Sequence, residues 1–328
     1  MITMHQSPLD PAFVQNPYAF YDRARAAGPV VFWQDYNMLA AFDHKTVSAL
    51  LRDRRLGRAP LNGRPPAPQH LKQFEAVERY SMLDIEPPEH TRLRGLVLRA
   101  FTSRRIAQLH PDIQSICADL LADLPDAPFD LIPAYCAQLP VRVIARLLGV
   151  PEAHGDDLLR WSSAMVAMYQ ATRNHATEVA ANTAAAEFAD FLRQHIALKR
   201  RAPGDDLLSQ LINATDHRQK LSEDEMIGTC ILLLNAGHEA TVHTMGNAVK
   251  CLLEHGRTTV DAAAVEEILR FTPPLHMFTR TAYQDVNLGE ITLKTGEQIA
   301  LVLGAAGRDP ALCEAPHQFI PNRPAAAH

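Results

Sequence analysis

The sequence predicts a mainly α-helical protein with a minor β part, and three observations carry that expectation. Between Pro88 and Glu254, apolar residues recur at the three- and four-residue spacing of amphipathic helices, broken only near prolines and polar turns. Within that stretch, residues 221–254 contain no proline, so they predict one helix far longer than the globular norm of about 11–12 residues. After Phe271 the pattern changes to alternation with glycine turns, the mark of short strands.

The elements follow in order. "NPYAFYDRARAAG" predicts a helix with Asn16 as cap, Pro17 at the first helical position and Gly28 at its end. Two strands, 30–32 and 38–42, are expected around a polar turn at 35–37, and Asp43 then caps a helix toward Arg52. The proline-rich 59–68 reads as a loop. Breaks in the helical middle are expected near 125–128, Pro140, Pro151, 203–204 and 216–220. Ser222 and Glu225 form a capping-box pair at the start of the long helix. Glycine turns at 289–290 and 295–296 predict hairpins in a small C-proximal sheet.

Composition narrows the function classes. Of 328 residues, 47 % are hydrophobic and 21 % charged, enough for a substantial core, and the length permits two domains or one large one. A net charge of -5 gives no general attraction to nucleic acid, and the basic runs 52–58 and 199–201 read as solvated helix faces. Cys117, Cys136, Cys230, Cys251 and Cys313 are scattered and odd in number, which argues against a disulfide framework and for a reducing, cytoplasmic setting. Neither a signal peptide nor an apolar run of the roughly 20 residues that span a bilayer is read, so no membrane association is expected.

The chemistry concentrates in "LLLNAGHEATVHT", where Gly237, His238, Glu239 and Thr241 interrupt an apolar helix. Buried polar groups cost free energy unless paired or used. A zinc hydrolase is disfavoured: His238 and His243 are five apart and diverge by roughly 140° around a helix. His90 and Arg94, at i and i+4, share one helix face. They suit an anion such as a carboxylate, or form a plain surface pair. Glu267 and Arg270 read as a buried, architectural ion pair. Arg280, in an alternating strand, needs an acidic partner or lies at the surface.

Taken in order, these segments resemble the cytochrome P450 family of haem-thiolate monooxygenases. "PPEHTRLRGLVLRAFTSRRI", "LLLNAGHEAT", "EEILR", "FTRTA" and "GRDPALCEAPHQFIPNRP" are similar to five of its motifs, and the likeness covers essentially the whole chain. The resemblance implies the P450 fold in a single domain over 1–328: a long central helix with small N- and C-proximal β-sheets. It also implies a bacterial-type enzyme that inserts one oxygen atom from O2 into a small apolar organic substrate. The cofactor would be haem b, with electrons from an NAD(P)H-fed ferredoxin or flavoprotein.

Roles follow position by position from the resemblance. His90, Arg94 and Arg280 would hold the haem propionates. Leu233, Ala236, Gly237 and Ala240 would face the distal side of the haem. Leu275, His276 and Phe278 would line the substrate cavity or the haem edge, and Met165, Met168 and Tyr169 its roof. Glu267, Arg270 and Arg323 would form a buried structural triad. Glu239 and Thr241 would deliver protons through waters in a locally loosened helix.

Three departures qualify the picture. Ala240 stands where the family has an alcohol, so Thr241 either substitutes through water or bonds back to the carbonyl four residues earlier. There is hardly room for a further helix between the long helix and "EEILR". The family's axial-cysteine loop and the helix after it are not found before His328, and Cys313 reads as an ordinary thiol. The fold is therefore expected to be C-terminally incomplete, with weak haem retention and no activity of the chain alone. The alternative is a non-catalytic relic or small-molecule-binding protein of the same fold.

Overall fold

The computed structural model describes residues 1–101, 103–214 and 220–324. Residues 216–219 of the expected break at 216–220, and the last four residues, lie outside that range. The chain divides into two compact units, Met1–Arg64 with Thr244–His328, and Pro65–His243.

The first unit opens with β1 (Thr3–Met4), α1 (Pro11–Gln15), α2 (Tyr18–Ala27), β2 (Val30–Trp33), β3 (Met38–Ala41), α3 (His44–Arg52) and β4 (Leu56–Gly57). The second is built from α4 (Lys72–Glu78), α5 (Glu89–Ala100), α6 (Ser103–Ala122), α7 (Gln138–Leu148), α8 (Gly155–Val166), α9 (His175–Arg201) and α10 (Leu207–Asn213). The long helix α11 (Glu223–Glu254) follows. The first unit then resumes with α12 (Ala262–Phe271), β5 (Phe278–Ala282), β6 (Val286–Leu288), β7 (Ile291–Leu293), β8 (Gln298–Leu301) and α13 (Leu303–Ala306).

Local chemistry sets most boundaries. Asp43 Oδ1 accepts from the Thr46 amide at 2.8 Å and starts α3. Asn37 takes a left-handed φ of 51°, which closes the short turn between β2 and β3. The α2 helix begins at Tyr18, one residue after the expected start, with Pro17 at the cap. Pro140 does not break a helix. It lies in the first turn of α7, where a missing N–H leaves no bond unmade. The region between α11 and α12 holds no helix.

The sheet differs from expectation. The N- and C-proximal strands form one six-stranded sheet in the order β1-β2-β3-β8-β5-β4, while β6 and β7 pair as a separate hairpin. Parallel pairing of β3 with β8, Leu39 opposite Ile299, joins the two ends of the sequence. Trp33 is buried beside Phe20 and Phe42, and its indole N–H donates to the Gln6 carbonyl at 2.8 Å. A side chain at Gly57 would land on the ring of Tyr283, so only glycine lets that ring cover β4.

The basic runs are not simple solvated helix faces. Residues 52–58 span the end of α3 and β4, and Lys199 pairs at 2.6 Å with Asp206, a buried cap of α10.

The start of α11 shows a reciprocal capping box. The Ser222 amide donates to Glu225 Oε2 at 2.8 Å, and the Glu225 amide donates to Ser222 Oγ at 3.2 Å. Ser222→Ala is expected to cost about 1 kcal/mol in urea unfolding. The Glu225 pair with Arg92 survives that change and keeps the loss small.

Candidate active site: an apolar cavity against the long helix

The polar interruption of α11 is resolved by short-range partners. Thr241 Oγ1 donates to the Gly237 carbonyl at 2.7 Å, the back-bonding alternative of the sequence reading. Glu239 pairs with His243 at 3.2 Å, four residues on along the same face. The His243 bond holds the Glu239 carboxyl below its usual range despite burial, and Glu239 in turn raises the His243 imidazole. His238 is buried, lies 3.3 Å from the Ala137 carbonyl and is pushed toward its neutral form by that burial. The helix is not loosened here: α-helical geometry is continuous through the motif.

One face of this segment is left unfilled. Ala236, Ala240 and Thr241 are exposed in mid-helix, although Leu234, Asn235, His238 and Val242 beside them are buried. Leu233, Ala236, Gly237 and Thr241 line a cavity of about 750 Å³ within the second unit. Its other walls are apolar and come mainly from α5 with the adjoining Phe101 and from α7, with Val97, Leu139, Val143 and Ile144 among them, completed by Met82, Leu83 and Ile113 of α6. His90 and Arg94, one turn apart on α5, line the same space. A side chain at Gly237 would come within 2.8 Å of Ile144 Cδ1, so glycine permits the close approach of α7.

Six expected residues thus meet at one cavity: His90, Arg94, Leu233, Ala236, Gly237 and Thr241. Ala240 and Glu239 are not among its lining residues. Met165 and Met168 are buried in the main core, and the Tyr169 hydroxyl donates to Glu78 at 2.7 Å; none of the three lines the cavity. Sequence reading missed Met82, Leu83 and the α7 wall. Their only signal is apolar character, which any core residue shares.

The remaining residues belong to the first unit. Glu267 and Arg270 are 4 % and 2 % exposed. Arg270 donates both Nε and Nη2 to the Glu267 carboxylate at 2.7 Å and Nη1 to the carbonyls of Gly307 and Pro316. The Ile320 amide and Arg323 complete the cluster on Glu267 at 2.8 and 3.4 Å. Burial pushes the Glu267 carboxyl up, but these donors outweigh it and hold it below the usual range.

Phe278 and Leu275 line a second cavity, of about 700 Å³. Arg58 and Arg280 both lie over the Phe278 ring, and Arg280 Nη1 donates to the Thr279 carbonyl. His276 instead packs between Tyr18 and Tyr21. Its Nδ1 shares a 3.1 Å hydrogen bond with the Tyr21 hydroxyl. Burial, helped by Arg308, lowers its pKa to about 4, so it is a neutral structural ring.

Comparison with known proteins bears on this arrangement. The family model for Cytochrome P450 matches residues 257–327. The chain is 32 % identical to the biotin biosynthesis cytochrome P450 of Bacillus subtilis, over 97 % of this chain and 82 % of that protein. It is 34 % identical to the cytochrome P450 monooxygenase PikC of Streptomyces venezuelae, over 96 % and 77 %. Among solved structures, P450BioI in complex with hexadec-9Z-enoic acid ligated acyl carrier protein superposes with a TM-score of 0.88 at 32 % identity. That match covers 95 % of this chain and 83 % of the other. CalO2 gives a TM-score of 0.87 at 29 % identity, over 98 % and 82 %. No helix among the described residues is long and apolar enough to cross a membrane. A long helix with an unfilled small-residue face, a buried Glu-x-x-Arg cluster and relatives of this similarity lead to one conclusion: the chain belongs to the cytochrome P450 family, whose members are haem-using, O2-dependent monooxygenases supplied by redox partners.

Proposed function

We propose that this protein is a haem-dependent monooxygenase for a small apolar organic substrate, with residues 1–328 belonging to one P450-like domain. The observation that carries this reading is the unfilled face of α11, which meets apolar walls and two N–H donors, His90 and the guanidinium of Arg94, in one cavity. Such a donor set fits the flat face and the carboxylate edge of a haem. When bound, haem supplies the oxygen-activating chemistry, with electrons from a ferredoxin or flavoprotein fed by NAD(P)H.

The chain's own residues do the rest. His90 and Arg94 donate hydrogen bonds to carboxylates, and Ala236 and Gly237 let a flat group approach the helix backbone. Val97, Phe101, Val143 and Ile144 exclude water and receive the apolar part of the substrate. A long acyl chain, of the kind named for the P450BioI complex, is one member of that class. His243 is more than half exposed and exchanges protons with solvent, and its bond holds the Glu239 carboxyl as the anion beside the motif. Thr241 lines the cavity, and its hydroxyl would donate a hydrogen bond into it on turning from the Gly237 carbonyl.

The axial thiolate is the part the cavity does not provide. None of the five cysteines is among its lining residues. Burial raises the thiols of Cys136 and Cys251 and pushes Cys230 up to about 12, away from the thiolate form. We therefore expect the chain alone to bind haem weakly and to be inactive. Five free cysteines also favour a cytoplasmic setting.

A haem titration followed by absorbance tests both statements. Weak binding is expected, lowered about tenfold by His90→Leu or Arg94→Leu, about 1.4 kcal/mol each. Binding that ignores both substitutions, or none at all, overturns the assignment of this cavity. A strong low-spin Soret band that moves to the thiolate–CO position on reduction overturns the expectation of weak retention.

A further inference from the structure

Away from the residues lining the cavity, a turn at Gln69–Leu71 meets the first turn of α9. His70 Nε2 lies 2.7 Å from Glu178 Oε2, and His175 Nδ1 lies 3.9 Å from the same oxygen. The two imidazole rings are 4.7 Å apart, edge to face. One ligand atom from each of the three residues falls within 4.8 Å of the others. We propose that His70, His175 and Glu178 bind one divalent transition-metal ion of the zinc class, which clamps the 69–71 turn to the start of α9.

The donor set suits that ion. Two imidazoles and a carboxylate are familiar ligands for zinc, leaving a fourth position for water. Bonds of about 2.0–2.1 Å in a tetrahedron separate donor atoms by roughly 3.3 Å. The distances of 2.7 and 3.9 Å to Glu178 bracket that value, and all three donor atoms lie within 4.8 Å of one another, so binding would draw them slightly closer.

Arg173 already holds the other carboxylate oxygen. Its Nε and Nη2 donate to Glu178 Oε1 at 2.9 and 2.7 Å, leaving Oε2 turned to the histidines. An outer donor of this kind fixes a ligand's orientation. The bonds from His70 and Arg173 hold the Glu178 carboxyl below its usual range, ready as an anionic ligand.

Two effects oppose the ion. The amino end of α9 carries partial positive charge, and Arg173 is itself a cation. Glu178 in the first turn offsets the former, and Arg173 engages the far oxygen. A simple exposed ion pair would need one histidine. Helix spacing brings the second imidazole, His175, to 3.9 Å from the same oxygen, where a metal would use both histidines.

The clamp would extend an existing joint. Asn182 Oδ1 on α9 already accepts from the amides of Gln73 and Phe74 at 2.8 and 3.2 Å, at the start of α4. The chain then continues to Met82 and Leu83 in the cavity wall. Metal occupancy would thus stiffen the segment that leads to that wall.

Titration of the full chain with Co2+, read by its d–d absorbance, and with Zn2+, read by calorimetry, tests this. One ion per chain and a tetrahedral cobalt band are expected. His70→Ala and His175→Ala should each weaken binding by about 10–100-fold or more, while His110→Ala, at an exposed position in α6, should not. Zn2+ should also slow amide exchange over 69–78. Absence of binding, or binding indifferent to His70→Ala and His175→Ala, overturns the site; binding without slowed exchange overturns the clamp. Because neither readout involves haem, failure here is distinct from failure of the oxygenase assignment.

Discussion

Glu267→Ala is expected to destabilise the first unit by about 3–5 kcal/mol, the cost of leaving a buried charge without its partner. Arg270 has almost no access to water, and its remaining acceptors are the carbonyls of Gly307, Pro316 and Gln318. Carbonyl dipoles do not neutralise a guanidinium. The Ile320 amide and Arg323 lose the same acceptor, so the damage reaches the segment after α13. The chain's two tryptophans fall one in each unit, Trp33 and Trp161. In a Trp161→Phe background, urea unfolding followed by Trp33 fluorescence therefore reports on the first unit. A loss below about 1 kcal/mol, typical of exposed pairs, would show that the cluster is not the lock described here.

The same cluster gives a pH dependence with a definite sign. The folded-state pKa of Glu267 is lowered, so its contribution is fully present above the ordinary glutamate value of about 4.3. It is lost as pH falls through the lowered folded value. Glu267→Gln should flatten that acid limb of the stability profile while leaving the neutral-pH slope unchanged.

Phe188→Ala is expected to cost about 3–5 kcal/mol in the second unit. Phe188 is fully buried on α9 and stacks on Trp161 of α8 at a centroid distance of 5.1 Å. The indole N–H is anchored by Glu187 at 2.7 Å, so the ring cannot swing in to fill the hole. The residual cavity should therefore stay open, placing the loss at the upper end. Trp161 fluorescence in a Trp33→Phe background measures it, and Phe188→Leu should recover more than half.

What could be read in the sequence is what depends on neighbours along the chain. The α3 cap, the Ser222–Glu225 box and the extent of α11 are local signals, and each is where the residues put it. His90 and Arg94 reach one cavity because i, i+4 spacing fixes a common face. The Glu239–His243 pair is equally local, but with Glu239 read as a proton-delivery acid its i, i+4 pairing with His243 goes unread.

Long-range partners were not legible. His276 meets Tyr21 across most of the chain, so no spacing rule turns it from a cavity to a tyrosine cluster. Half of the His70 site is local, His175 and Glu178 at i and i+3, and the other half is not. The merging of two expected sheets is the same limitation at larger scale, since strand pairing depends on a partner distant in sequence.

That merged sheet has a consequence for biosynthesis. Strand β3 leaves the ribosome well before its neighbour β8, which is made only near residue 301. At about 5–20 residues per second, the helical middle has many seconds to fold while the early hairpin waits with a bare edge. During that interval β3 offers the nascent chain's open template for pairing with a foreign strand. A holding chaperone acting on the first 64 residues would raise the yield of correctly folded protein more than one acting on the helices.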